Sequence, residues 1–219
     1  MEKITRVADP GMVDHETQRG GGQQQTFFNV ETRNERIVSI GGWCGVSLVV
    51  RKKMALCHEA FPFDYILSSF HGVIHFLRSG FDDFFPEKIL PFIENDRKQF
   101  VGAHTTFLHH DLQDPMVVKA LRRRINRFLD LLTQDAPVLF VRASGSHFDE
   151  AQQIPEFLAV IRERFPTLKF RLLFISHCQG EGDKFQTTDA NVIIQYLETE
   201  ESWEEDYLKL VGEVFGGNE

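Results

Sequence analysis

From Arg36 onward, short apolar runs alternate with amphipathic stretches, and this alternation most restricts what the chain can fold into. Arg36 to Ile40, Phe100 to Leu108, Val138 to Val141, Phe170 to Ile175 and Val192 to Leu197 read as strands. Cys44 to Met54, Phe70 to Ser79, Pro115 to Leu132, Glu150 to Phe165 and Trp203 to Val214 read as helices between or after them. Two helices carry clear end signals. Gly80 stands at a stop position, and Asp114 and Pro115 form an N-cap and a first-turn proline. Apolar strands separated by helices predict an α/β fold, a mostly parallel sheet with helices on both faces, three-layer and Rossmann-like. The segment up to residue 35 is polar and includes Gly20 to Gln25, so residues 1–35 are expected to form a flexible tail. Thr26 to Val30 could dock as a short strand, and residues 36–219 are expected to form one α/β domain.

In open parallel sheets, sites form beyond the carboxyl ends of the strands. Four loops then qualify: the one holding Cys44, the one holding His109 and His110, the one holding Arg142 and Ser144, and the one holding His177 and Cys178. They share one crevice only if their strands run parallel. Cys44 is the most informative of these residues. A β-branched run ends in Gly41 and Gly42, and the cysteine follows in what reads as the first helical turn. Helix N-termini leave backbone N–H groups unpaired and carry partial positive charge, which favours thiolate over thiol. The position suits a nucleophile. It equally suits a phosphate cradle with an incidental cysteine, or a small side chain filling a tight turn.

A thiol nucleophile needs a base and a group that orients the base. Of the nine histidines, His109 and His110 are the best placed, and His110 has Asp111 beside it. Adjacent strand residues face opposite ways, so Asp111 reaches His110 only if the chain has already left the strand; otherwise Asp64 is the expected orienter. His110 could instead be a capped loop histidine. Phe61 to Asp64 could be an aromatic plug with Asp64 capping the next turn, or could place Asp64 beside the cysteine loop. Arg123 and Arg127, four apart on one helix face, are a solvated surface or a pair able to grip phosphate or carboxylate. With Gly42, Gly45 and Arg142 they are the candidate ligand-binding residues.

Several chemistries lack support. The net charge of −8 speaks against general nucleic-acid binding. No apolar run reaches membrane-spanning length, so no membrane partner is expected. Three cysteines, Cys44, Cys57 and Cys178, make no dense framework, which fits a reducing, cytoplasmic setting. His104, His109, His110, Asp111, and His177 with Cys178 match no recognised zinc spacing, so no metal is expected. The glycines lack the lysine of a P-loop and the third glycine of a dinucleotide fingerprint, and no GxSxG elbow is present, so no cofactor is expected.

Taken in order, several segments resemble the DUF1796 family, a domain family named for papain-like cysteine peptidases. They are Ser39 to Cys44, Pro62-Phe63-Asp64-Tyr65 (tyrosine where the family usually has tryptophan), Phe81 to Phe84, His110-Asp111, Arg123 to Phe128, and Val138 to Arg142. The resemblance spans about half the chain. It implies a thiol nucleophile at Cys44, an imidazole base at His110, and Asp111 or Asp64 as orienter. It also implies an alternative fold, papain-like α+β, with the cysteine on a helix and the histidine on an antiparallel sheet. The function expected is therefore a cysteine-dependent hydrolase or peptidase acting on a peptide or small acyl substrate. Backbone amides near Gly45 would then stabilise the oxyanion. The alternatives are a binding or transfer domain for a phosphorylated ligand such as a nucleotide sugar, and a non-catalytic interaction module.

Overall fold

The computed structural model describes residues 35–53, 59–94, 97–144, 150–177, 184–197 and 203–216. The expected tail, the Thr26 to Val30 strand, Cys57 and Cys178 lie outside the described residues. Four strands form a parallel sheet in the order β1 (Arg36–Ser39), β6 (Val138–Ser144), β7 (Phe170–Ser176), β8 (Val192–Tyr196). A second, antiparallel sheet has the order β2 (Ile66–Ser68), β5 (Thr105–Phe107), β4 (Arg97–Val101), β3 (Phe92–Glu94).

The parallel sheet is buried on both faces because its strands are apolar at successive positions. All seven residues of β6 are buried. Ile37, Leu139, Val141, Ala143, Leu173 and Ile175 pack with α1 (Cys44–Lys53) and α5 (Trp203–Gly216) through Val46, Val49, Val50, Tyr207 and Val211. The alternate residues, Val38, Phe140, Leu172 and Phe174, pack against α2 (Phe70–Ser79), α3 (Pro115–Leu132) and α4 (Ile154–Arg164). Side chains of successive strand residues point to opposite faces, so one apolar run serves two cores. The end of α2 and the start of α3 behave as their sequences predict, and the start of α2 has a side-chain cap as well. Ser69 Oγ accepts from Gly72 N at α2, Gly80 closes that helix at φ 73°, and Asp114 caps α3 by accepting from Met116 N.

Two expectations change. Among the described residues the order β1-β6-β7-β8 rises in one direction, without the reversal of strand order of a Rossmann-like sheet. The segment from Phe100 to Leu108 is not one strand. It turns back after Val101, where Gly102 N donates to the Thr105 carbonyl at 2.8 Å, and pairs with itself across β4 and β5. The histidine loop therefore follows an antiparallel strand of the second sheet. Cys44 and His177 do follow parallel strands, β1 and β7, whereas Arg142 and Ser144, expected in a loop, lie within β6 between them, because the apolar run continues through Ala143 and pairs with β7 as far as Ser144.

Candidate active site

Cys44 is the first residue of α1, partly buried and free of any disulfide. The turn before it requires glycine. Gly41 and Gly42 have φ of 79° and 102°, and a Cβ on Gly42 would lie 1.8 Å from the Ala143 carbonyl oxygen. The close approach seats the start of α1 on the end of β6. Trp43, just before the cysteine, meets Trp203 edge-on with ring centres 4.4 Å apart, and its Nε1 donates to the Tyr207 hydroxyl at 3.4 Å. The same hydroxyl lies 2.6 Å from Nε2 of His177, the residue after β7. His177 is buried, and its Nδ1 has no partner among the described residues.

The second group lies where β5 ends. Arg124 of α3 reaches Nε2 of His110 at 3.2 Å. A guanidinium only donates, so Nε2 is the acceptor and the neutral ring carries its proton on Nδ1, which is buried without a partner among the described residues. Burial first, then the charges of Arg124 and His109, lower the His110 pKa to about 4, against an opposing pull from Asp64. At neutral pH the ring is uncharged. Asp64 is fully buried, and its Oδ2 accepts from Phe61 N at 2.9 Å, which holds the turn formed by the Phe61 to Asp64 motif. Its negative charge also supports the Arg124 guanidinium, whose pKa burial pushes down.

Tyr65 joins this group to α1. At φ 62°, its backbone N–H donates to Ser47 Oγ at 3.1 Å, its hydroxyl accepts from Arg51 at 3.0 Å, and its ring sits edge-on to His109 at 6.3 Å. Ser47 lies one turn after Cys44. The structure thus links the helix bearing the cysteine to the Asp64–His110–Arg124 group, while no hydrogen bond joins Cys44 to His110 among the described residues. Asp111 is turned elsewhere: Lys98 donates to its Oδ2 at 3.3 Å and Gln113 N to its Oδ1 at 3.0 Å.

Arg142 is fully buried, and its five N–H groups are all used within the protein. They go to Glu150 Oε2 twice (3.1 and 2.6 Å), the Ile40 carbonyl (3.0 Å), the Ser68 carbonyl (2.8 Å) and Ser68 Oγ (3.5 Å). Glu150 Oε1 accepts from Phe70 N at 2.7 Å, which extends the clamp to the start of α2. Arg123 and Arg127 line an open cleft of about 390 Å³ with Arg36, Asn126 and two carboxylates, Glu59 and Asp130, at the opposite end of β1 from Cys44; Glu59 pairs with Arg36 at 3.5 Å. Arg127 also donates to the Ala60 carbonyl at 2.7 Å.

Sequence reasoning missed Arg124, Tyr65 and Glu150 as members of these groups. For Arg124 the signal was present but misdirected: it lies off the Arg123–Arg127 face, and that is the face turned toward His110. No helix among the described residues is long and apolar enough to cross a membrane. No curated protein and no solved structure matches the chain. The model of one family, described as "Putative papain-like cysteine peptidase (DUF1796)", matches residues 35–180, about two thirds of the chain. The chain belongs to that family.

Proposed function

We propose that the protein is a cysteine-dependent hydrolase of peptide or small acyl substrates, with Cys44 as nucleophile, His110 as base and Asp64 behind it. The observation that carries this reading is the position of Cys44, partly accessible at the first residue of a helix and held there by a turn only glycine can make. Such a position suits a negatively charged sulfur and a developing oxyanion near Gly45. In the reaction, Sγ bonds to the acyl carbon, and its proton passes to the imidazole and then to the leaving group. Water then cleaves the thioester. A neutral ring is the form needed to accept that proton. Its acceptor nitrogen is engaged by Arg124, so Arg124 must release it for this step. A substrate carboxylate that draws the guanidinium away would do so.

The same reading favours Asp64 over Asp111, because the Asp64 charge acts on His110 whereas Asp111 is tied to Lys98 and Gln113. A thiol on a helix and an imidazole following an antiparallel strand is the papain-like layout. We read the parallel half as a three-layer unit within one domain over residues 36–219, in a cytoplasmic protein. The test is hydrolysis of a panel of peptides and thioesters by the purified chain. Cys44→Ala abolishes turnover while the protein stays folded; undiminished turnover in that variant removes the proposal.

A second reading rests on the cleft of Arg36, Arg123, Asn126 and Arg127, which would take a phosphorylated ligand such as a nucleotide sugar. Arg142 would contribute nothing to it, since its donors are already taken. A rise in melting temperature with nucleotide sugars that Arg123→Ala eliminates supports it, and no response across the panel rejects it.

A further inference from the structure

One stripe of α1 runs from the thiol to a positive charge that no carboxylate meets. Cys44, Leu48 and Arg51 stand at i, i+4 and i+7 of the helix, positions that share a face. Leu48 is a large apolar side chain left 40% exposed. Arg51, beyond it, is exposed and donates to the Tyr65 hydroxyl at 3.0 Å, with its guanidinium carbon 5.8 Å from the centre of that ring. The stripe thus passes from sulfur, over an apolar patch, to a cation steadied by an aromatic ring.

The charge at its far end is not neutralised. Arg51 meets a phenol, Arg124 an imidazole and Arg127 the Ala60 carbonyl, so all three guanidiniums donate to neutral acceptors. None of the three forms an ion pair among the described residues. By contrast Arg36, Arg78, Arg142, Arg162 and Arg171 all meet carboxylates. Burial pushes the Arg124 pKa down, and the charges of Arg127 and Arg51 push it the same way against Asp64 and Tyr65. Asp64 is fully buried and holds the Phe61 turn, so it is one carboxylate facing three guanidiniums. A ligand carboxylate would relieve that excess, and it can meet a guanidinium bidentately, which a single imidazole nitrogen cannot.

We infer that Arg51 and Arg124 form a subsite for a carboxylate on a peptide laid along α1, with an apolar side chain over Leu48 and its scissile bond at Cys44. The substrates are then acidic peptides. Cys44 and Arg51 are separated by about 10 Å along the helix axis, a length that an extended peptide covers in about three residues. The acidic residue therefore stands about three positions from the bond attacked. The place of that bond rests on the hydrolase reading; the binding of the acidic group does not.

The test uses end-capped peptides with one glutamate placed about two to four residues from a central amide bond, beside their glutamine counterparts. Calorimetry measures binding to Cys44→Ala, which lacks the nucleophile, and to the same chain carrying Arg51→Gln or Arg124→Gln. Hydrolysis of the same peptides is measured with the unaltered chain. The glutamate peptide of matching length binds at least about tenfold tighter than its glutamine counterpart, the difference expected for one hydrogen-bonded charge. Arg51→Gln, a change at an exposed side chain, brings that ratio close to one, and so does Arg124→Gln. Equal binding of glutamate and glutamine peptides, or a preference that survives both arginine variants, overturns the subsite. Glutamate-selective binding with no peptide hydrolysed removes the hydrolase reading and leaves the subsite standing.

Discussion

Two arginines, the buried Arg142 and the half-buried Arg124, stand beside the two halves of the candidate site and are used in opposite ways. Arg142 is saturated: every donor meets a carboxylate, carbonyl or hydroxyl, and Glu150 offsets the burial of its charge. It ties the ends of β1 and β2 to the start of α2 and has nothing left for a ligand. Arg124 instead spends a donor on a neutral imidazole, and the charge of Asp64 supports it against the repulsion of Arg127 and Arg51. A charge held against a neutral acceptor is easily redirected by a better anion, whereas a saturated ion pair is not. The contrast separates a residue that builds the site from one suited to respond to what enters it.

The largest effect expected is at the saturated arginine. Arg142→Ala leaves Glu150 nearly buried without its partner and should cost about 3–5 kcal/mol in urea unfolding. A loss below about 1 kcal/mol would mean the clamp is dispensable and would erase the contrast. His110 gives a middle effect that depends on pH. The folded ring titrates near 4 and an unperturbed one at 6.5, so the unfolded chain binds the proton first. Stability present above pH 6.5 is therefore lost as the pH falls to about 4, by about 2–3 kcal/mol. His110→Gln should remove that share of the acid sensitivity, and an unchanged stability profile would place the ring in water. The smallest effect is at the exposed carboxylate. Asp111→Asn should shift stability by less than about 1 kcal/mol and leave any hydrolysis in place, because it breaks only an exposed ion pair and a turn contact. Loss of turnover in that variant would restore Asp111 as orienter.

Local signals in the sequence carried much of the architecture. The caps at Gly80 and Asp114 act through neighbours two to four residues away, so the end of α2 and the start of α3 are legible from local sequence. The apolar runs of β6 and β7 likewise announce strands buried on both faces. The reversal after Val101 was not legible, since Thr105, Thr106 and Phe107 continue a β-type pattern across a turn whose only cue is Gly102. Partner choice was hidden for a similar reason. Arg142 finds Ser68 across 74 positions, and Arg124 finds His110 across a turn and a cap, contacts that no periodicity encodes. For the candidate site, Cys44, Asp64 and His110 were readable as residue types in suggestive places. That Asp111 turns to Lys98 and Gln113 was not, because it depends on where the chain leaves β5.

The most direct test of the central claim is stoichiometric alkylation of the native chain with iodoacetamide, with modified residues mapped by mass spectrometry and residual hydrolysis measured on the same samples. The account predicts that turnover falls in proportion to modification of Cys44, regardless of Cys57 and Cys178. Full modification of Cys44 with turnover intact would contradict it.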